Sequence, residues 1–477
     1  MRDLIIETQK FVKSNRLILF LSLLGVSLLC GIISLYWQFW LLLGIIVYIA
    51  SIVYFSKEIY GLLNIHVAAL SLLVLHALPS TILILEGEIN LDNQESLMLF
   101  SSITIGLIGY TFGALFLKKL FSFEKKENTH LSKKLNTLFW LAYKYRYVLA
   151  FISGLVVFHW GFVSMSYQES VIYRMETPGV IQYINSLIPM VFSVLIVAMI
   201  SIIGDIKKHK KLSLFSYLCI ILTILSIIAG QRIWIIALFV CLILAFQPYL
   251  KRRHMLIIIV LVASMFFIIS GGVRYARQGS SLTENIKYFY EYLSNIRNMN
   301  FTEIVWGLSD FTIPFSTFIT LVKNIPQNIG FDYSAPIKDL SLFIPTIIYP
   351  ERPLPYNQWF VKVFYPEIFA RGGGLTFYII GFGYLFAGPI GVFIYLFLFG
   401  ALFEWFNKFF RMVGDTAGLF LYSYFFVALF TFVRGHGFAS FIKYCFMYLI
   451  IPLSLLFLTI LILEDLFSLK RRYKTAK

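Results

Sequence analysis

Charge is what this chain has least of. Only 13% of its 477 residues are Asp, Glu, Lys or Arg, against 59% hydrophobic and a mean hydropathy of +0.81. A soluble domain of this size could not cover its surface with so few charges, so lipid has to solvate most of it. Cysteine is scarce too: Cys30, Cys219, Cys241 and Cys445 all lie in apolar runs without metal-ligand or redox spacing, as small core or lipid-facing residues. No HxxxH, HExxH, DxD, GxSxG or Walker pattern occurs, which leaves metal, serine-hydrolase and nucleotide chemistry without support. There is no internal repeat, no low-complexity tract and no soluble domain of ordinary size.

Acids are outnumbered, and the formal charge is +16. The basic residues stand in short blocks between apolar spans, which is what membrane orientation requires and not what nucleic-acid binding requires. The expected fold is an all-α polytopic membrane protein, residues 1–477 forming one integral membrane domain. Apolar runs long enough to cross a bilayer lie near 17–35, 38–55, 62–85, 98–117, 147–164, 182–203, 213–229, 232–248, 255–270, 375–401, 417–433 and 441–463, about twelve spans. A stretch at 304–322 holding Asp310 and Pro314 is a re-entrant or interfacial helix, or a thirteenth span. No small-residue cleavage site follows the basic start, so 17–35 reads as a retained first helix.

Charge tests the topology. Residues 118–146 carry eight Lys or Arg against two Glu, 204–211 four Lys against one Asp, 251–253 is Lys-Arg-Arg, and 470–477 holds five basic residues. Twelve spans place these blocks and both termini on one side, the cytoplasm by the positive-inside rule. The other side receives the acidic loop 86–95 and a large loop region at 271–373, in which 283–300 suits an amphipathic helix on the membrane surface.

The exceptional chemistry then faces outward together: Gly230-Gln231-Arg232, Arg274 and Arg277 after a Gly pair, Glu351 and Arg352 among prolines, Arg371-Gly372-Gly373-Gly374, and Arg434-Gly435-His436-Gly437. Arginine's planar fork suits phosphate oxygens, and glycine lets a backbone approach a head group. The plain alternatives are snorkelling for Arg232, a hinge for the glycine run, and salt-bridge partners for the acids. Tyr349, Tyr356, Trp359 and Tyr365 can stack on sugars or anchor the loop at the interface.

The Gly-Gln-Arg opening a mid-chain span, Gly-Gly-Gly-Leu-Thr before a span, the run GFGYLFAGPIGVFIY and the late outer Arg-Gly together resemble a known family. It is the oligosaccharide repeat-unit polymerases of bacterial surface polysaccharides, the O-antigen and capsule polymerases. The resemblance implies inverting glycosyl transfer on the outer face of the cytoplasmic membrane, with undecaprenyl-diphosphate-linked glycan as substrate. It implies no metal, no cofactor and no nucleotide sugar, and a chain-length regulator as a further protein partner. Arg232 and Arg434 take the place of the family's loop arginines. Arg371, Gly372 and Gly373 match the glycine-rich entry to the span after the loop. Many members carry a glutamate soon after that motif, where this chain has Phe377, Tyr378 and Gly381.

In this chemistry the guanidiniums would stabilise charge developing on the departing diphosphate. Glu351, Asp310 and His436 are candidate bases for the attacking hydroxyl, and Arg274, Arg277, Arg352, Tyr356 and Trp359 candidate substrate contacts. A ligase or transferase using another polyprenyl-phosphate sugar, a lipid-linked glycan flippase, and a structural partner in an assembly complex remain as alternatives.

Overall fold

A computed structural model describes residues 36–58, 61–120, 129–161, 193–225, 233–251, the positions 254, 257, 258, 261 and 272, then 282–296, 298–299, 309–325, 327–344, 348–370, 375–433 and 437–475. These fold into helices only: α1 Trp37–Phe55, α2 Ile65–Leu85, α3 Asn93–Leu120, α4 Thr129–Lys144, α5 Arg146–Gly161, α6 Val194–His209, α7 Leu214–Leu225, α8 Ile233–Phe246, α9 Leu282–Asn295, α10 Ser309–Asn324, α11 Ala335–Ser341, α12 Tyr356–Phe364, α13 Pro366–Ala370, α14 Ile379–Val413, α15 Asp415–Phe432, α16 Phe438–Cys445 and α17 Ile451–Thr475. Among the described residues, α1, α2, α3 and α14 are long and apolar enough to cross a membrane, and shorter apolar helices lie in α5, α7, α8 and α15. The expected span 17–35 and most of 255–270 lie outside the described residues.

Local chemistry sets the helix ends. The Asn64 side chain accepts from the His66 N–H at 2.9 Å to open α2, and Ser193 accepts from Ile196 to open α6. Asp92 and Glu95 exchange side-chain and backbone bonds of 2.7 and 3.1 Å at the head of α3, a reciprocal capping box.

The two ends of the bundle differ. At the basic end Glu58 binds both Lys118 and Arg411, the latter at 2.6 Å, Lys144 meets Glu464 at 2.6 Å, and Arg146 approaches Asp205 at 3.4 Å. At the opposite end, here the loop end, stand the turn after α2 and the helices α11 to α13.

α14 covers most of the span expected over 375–401 and carries a break near its start. Residues 375–378 lie outside any helix, Tyr378 with extended backbone, and the helix that follows breaks at Ala387 and Gly388, the latter at φ 60° and ψ −147°. A Cβ on Gly383 would lie 2.6 Å from Val392 Cα, and the Phe382 and Tyr395 rings are 4.5 Å apart. In an unbroken helix residues nine apart stand about 13 Å apart, so the chain has turned back on itself. Only glycine takes this backbone freely at 388. The long arm 389–413, about 37 Å by helical rise, is the part that spans.

α10 packs along α2, with Lys323 Nζ donating to the Asn90 carbonyl at 2.9 Å on the loop end. Asp310 lies in its first turn. α9 realises the amphipathic segment over 282–295, slightly shorter than expected.

Candidate active site

The geometry begins with the non-helical residues just before α14. Tyr378, fully buried, donates its hydroxyl to the Leu73 carbonyl at 2.8 Å, near the middle of α2. Its N–H reaches Thr317 Oγ1 at 3.3 Å. The next residue, Ile379, donates its N–H to the Val433 carbonyl at 3.3 Å. This bond joins the chain just after the 371–374 motif to the chain just before 434–436. Eight residues on, the α14 turn packs on Phe331, with a Gly388 Cβ position 3.4 Å from that ring. The junction is therefore recessed by about 12 Å of helical rise.

Beyond 434–436 the chain is held by a residue from elsewhere. Asp339 of α11 is buried, accepts from the Ala439 N–H at 2.7 Å and the Ser440 N–H at 3.3 Å, and takes the Ser440 hydroxyl at 2.5 Å. Those amides belong to the first turn of α16, so a carboxylate from another helix caps it. A Cβ on Gly437 would collide with that carboxylate, which explains the glycine. Burial pushes the Asp339 carboxyl above its ordinary range, against the opposing effect of the hydrogen bonds. Beneath lies an aromatic floor: Phe399 meets Phe432, Phe438 and Phe441 at ring distances of 4.7, 5.2 and 5.4 Å.

The proline-rich loop is anchored by Asp332. It takes a Lys338 ammonium at 2.8 Å, the Ser334 hydroxyl at 2.5 Å and the Tyr356 hydroxyl at 3.0 Å. Burial pushes its carboxyl up, but the bonds from Lys338, Ser334 and Tyr356 outweigh it, and the group sits below its usual range. The sign follows directly. The anchor is fully present above the ordinary carboxyl value and weakens as pH falls through the lower folded value. Trp359, whose ring stands 5.9 Å from Tyr356, reports it. Its emission should hold at about pH 5 and shift towards pH 3 as the loop releases; Asp332→Asn protein showing the same acid transition would refute the assignment.

Of the residues expected at a site, Tyr356 is buried with its ring edge on Phe382 at 4.7 Å. Trp359 is half-buried, Glu351 exposed, and Arg352 half-buried with its guanidinium on the Leu342 and Ile344 carbonyls. Gly272, two residues before Arg274, packs on Phe289 of α9, its Cβ position 2.6 Å from that ring. Arg232, Arg274, Arg277, Arg371, Gly372, Gly373, Arg434 and His436 lie outside the described residues, and the Asp310 side chain does too. What the structure brings together is the flanks of 371–374 and 434–436.

Sequence reasoning takes Asp339 for a rival base or salt-bridge partner, not a helix cap, and misses a second polar cluster. His66 bridges Glu404 at 2.8 Å and the Tyr110 hydroxyl at 3.0 Å, and Asn407 donates to the same Glu404 oxygen at 3.0 Å. All four are buried, and Phe55 stacks on the imidazole at 4.5 Å. The signal was there: a lone Glu and a lone His inside apolar runs demand partners. The cluster ties α2, α3 and α14 together on the basic side of the recessed junction.

Fold and sequence define a multi-pass, all-helical membrane protein with a buried junction between its later helices, anchored by a carboxylate. The sequence profile described as O-antigen polysaccharide polymerase Wzy matches residues 15–466, and the chain belongs to that family. No curated protein and no solved structure matches it significantly.

Proposed function

We propose that the protein polymerises undecaprenyl-diphosphate-linked oligosaccharide repeat units at the outer face of the bacterial cytoplasmic membrane, by inverting glycosyl transfer. The observation that carries the reading is the Ile379–Val433 bond, within a chain matched to the polymerase family over nearly its whole length. It joins the chain that follows 371–374 to the chain that precedes 434–436.

In the proposed reaction a hydroxyl of the incoming repeat unit attacks the anomeric carbon of the growing glycan. A carbon–oxygen bond forms to the sugar, the bond to diphosphate breaks, and undecaprenyl diphosphate leaves with the electron pair. The hydroxyl proton passes to a base, for which Glu351, Asp310 and His436 are the candidates. Arg232, Arg371 and Arg434 stabilise the diphosphate charge as it grows. Arg274, Arg277, Arg352, Gly372, Gly373, Tyr356 and Trp359 belong to substrate binding in this reading, Tyr356 by holding the loop through Asp332. The basic end, and both termini, face the cytoplasm.

The test uses purified protein in lipid with the undecaprenyl-diphosphate-linked repeat unit of its host, EDTA present and nucleotide sugar absent, and reads product length on a gel. A ladder is the expected result. Unchanged starting lipid would overturn the reading, and transbilayer movement of that intact lipid would assign the protein to transport instead.

A further inference from the structure

Two cations outside the recessed junction converge on one carbonyl. Arg352 Nη1 donates to the Leu342 oxygen at 3.3 Å and to Ile344 at 2.9 Å. Lys443 Nζ, from α16, donates to the same Leu342 oxygen at 2.5 Å. Both side chains are half-buried. Neither forms an ion pair with an acid among the described residues: Asp339 is engaged with Ala439 and Ser440, Asp332 with Lys338, Ser334 and Tyr356, and the neighbouring Glu351 is exposed. A single cation suffices to satisfy a carbonyl at the end of a short helix. A second one beside it adds like-charge repulsion that a bound anion would relieve.

The surroundings say what kind of anion. On α16 and its continuation, Ile442, Phe446 and Ile450 are 36%, 51% and 50% exposed and recur every four residues, so they form one apolar ridge beside Lys443. Leu340, Phe343 and Ile344 are likewise exposed around Arg352. A doubly cationic notch bordered by exposed apolar side chains suits a multiply charged head group on a long hydrocarbon chain. A diphosphate matches two cations where the single charge of a phosphodiester does not.

We propose that Arg352 and Lys443 form a binding subsite for the diphosphate of a prenyl-linked substrate, with its chain lying along Ile442, Phe446 and Ile450. This rests on the polymerase reading and deepens it. Lys443 lies six residues along α16 from Gly437, about 9 Å by helical rise, so a sugar on the bound diphosphate comes within reach of the Asp339-held start of α16.

The experiment measures farnesyl diphosphate binding to full-length protein in zwitterionic nanodiscs by calorimetry, with inorganic pyrophosphate and farnesol as separate probes. Lys443→Gln and Arg352→Gln should each weaken farnesyl diphosphate about tenfold or more, as loss of one charge-assisted bond implies. Lys443→Arg should stay near the parent value, and farnesol should bind all variants alike. Pyrophosphate should bind more weakly than the prenyl compound and show the same sensitivity. Equal farnesyl diphosphate affinity in parent and Gln variants would overturn the subsite, as would a loss in Lys443→Arg as large as in Lys443→Gln, the mark of a purely structural lysine. Displacement by anionic phosphatidylglycerol nanodiscs as effective as by farnesyl diphosphate would reassign the notch to bulk lipid. Product ladders from the parent protein beside unaltered variant affinity would sink the subsite alone; charge-sensitive binding without any ladder would sink the polymerase reading alone.

Discussion

Gly113→Leu protein is expected to yield no monodisperse peak on size exclusion in detergent, whereas Gly154→Leu protein should elute and melt like the parent. α3 and α14 meet along a seam of small residues. A Cβ on Gly109 would lie 2.6 Å from the Phe393 carbonyl, one on Gly113 would collide with the Phe397 carbonyl, and one on Gly400 with that of Tyr110. These are backbone atoms, so no side-chain rotation relieves the clash, and the helices must separate. In lipid, where burial of apolar surface gives no preference for helix over solvent, such close packing is what holds helices together. Overpacking at side chains costs about 1–3 kcal/mol, and a backbone collision should exceed it.

Separation would do further damage because Tyr110 of α3 and Glu404 of α14 share His66. Pulling the seam open strands a buried imidazole and a buried carboxylate, each expensive without a partner. Gly154 is the control, since its Cβ position meets nothing within 4 Å. Gly113→Ala should fall between the two. A normal elution profile and melting point for the leucine variant would show that the seam is looser than the geometry requires.

The membrane class was legible because it is a property of composition: with 13% charged residues no other solvent fits. The helix at 282–295 was legible because its period is local. The break in α14 was not. Gly381, Gly383, Gly388 and Gly391 look like a run of helix-packing residues, and they are packing residues. Yet Gly383 and Gly391 pack on each other, which requires the turn at Gly388 that no single residue announces. His66 and Glu404 stand 338 positions apart, so each could be flagged alone but not as a pair. Asp339 reads as one more loop acid until the first turn of α16 is seen resting on it. Periodicity reports which face of a helix is apolar; it carries no information about which distant segment supplies a cap.

That cap carries the second large effect. Asp339→Ala protein is expected to insert and purify normally, bind farnesyl diphosphate as the parent does, and lose product ladder formation about a hundredfold, the scale on which small misplacements of reacting groups act. Removing the carboxylate leaves two amides of α16 and the Ser440 hydroxyl without their acceptor, at about 1–3 kcal/mol for each buried group. The chain flanking 434–436 is held on one side by the Ile379–Val433 bond and on the other by this carboxylate at Ala439 and Ser440, with Gly437 packed against it. Loss of this anchor should therefore shift the start of α16 without unfolding the bundle, whose aromatic contacts at Phe399, Phe403 and Phe432 are untouched. Asp339→Asn keeps an oxygen for one amide but turns an NH2 group towards the other, and about a tenfold loss is expected. The decisive readout is the split between turnover and lipid affinity. A fall in turnover at constant affinity fits a residue that positions the chain flanking 434–436, whereas unchanged ladders in Asp339→Ala would move the reacting groups away from this junction altogether.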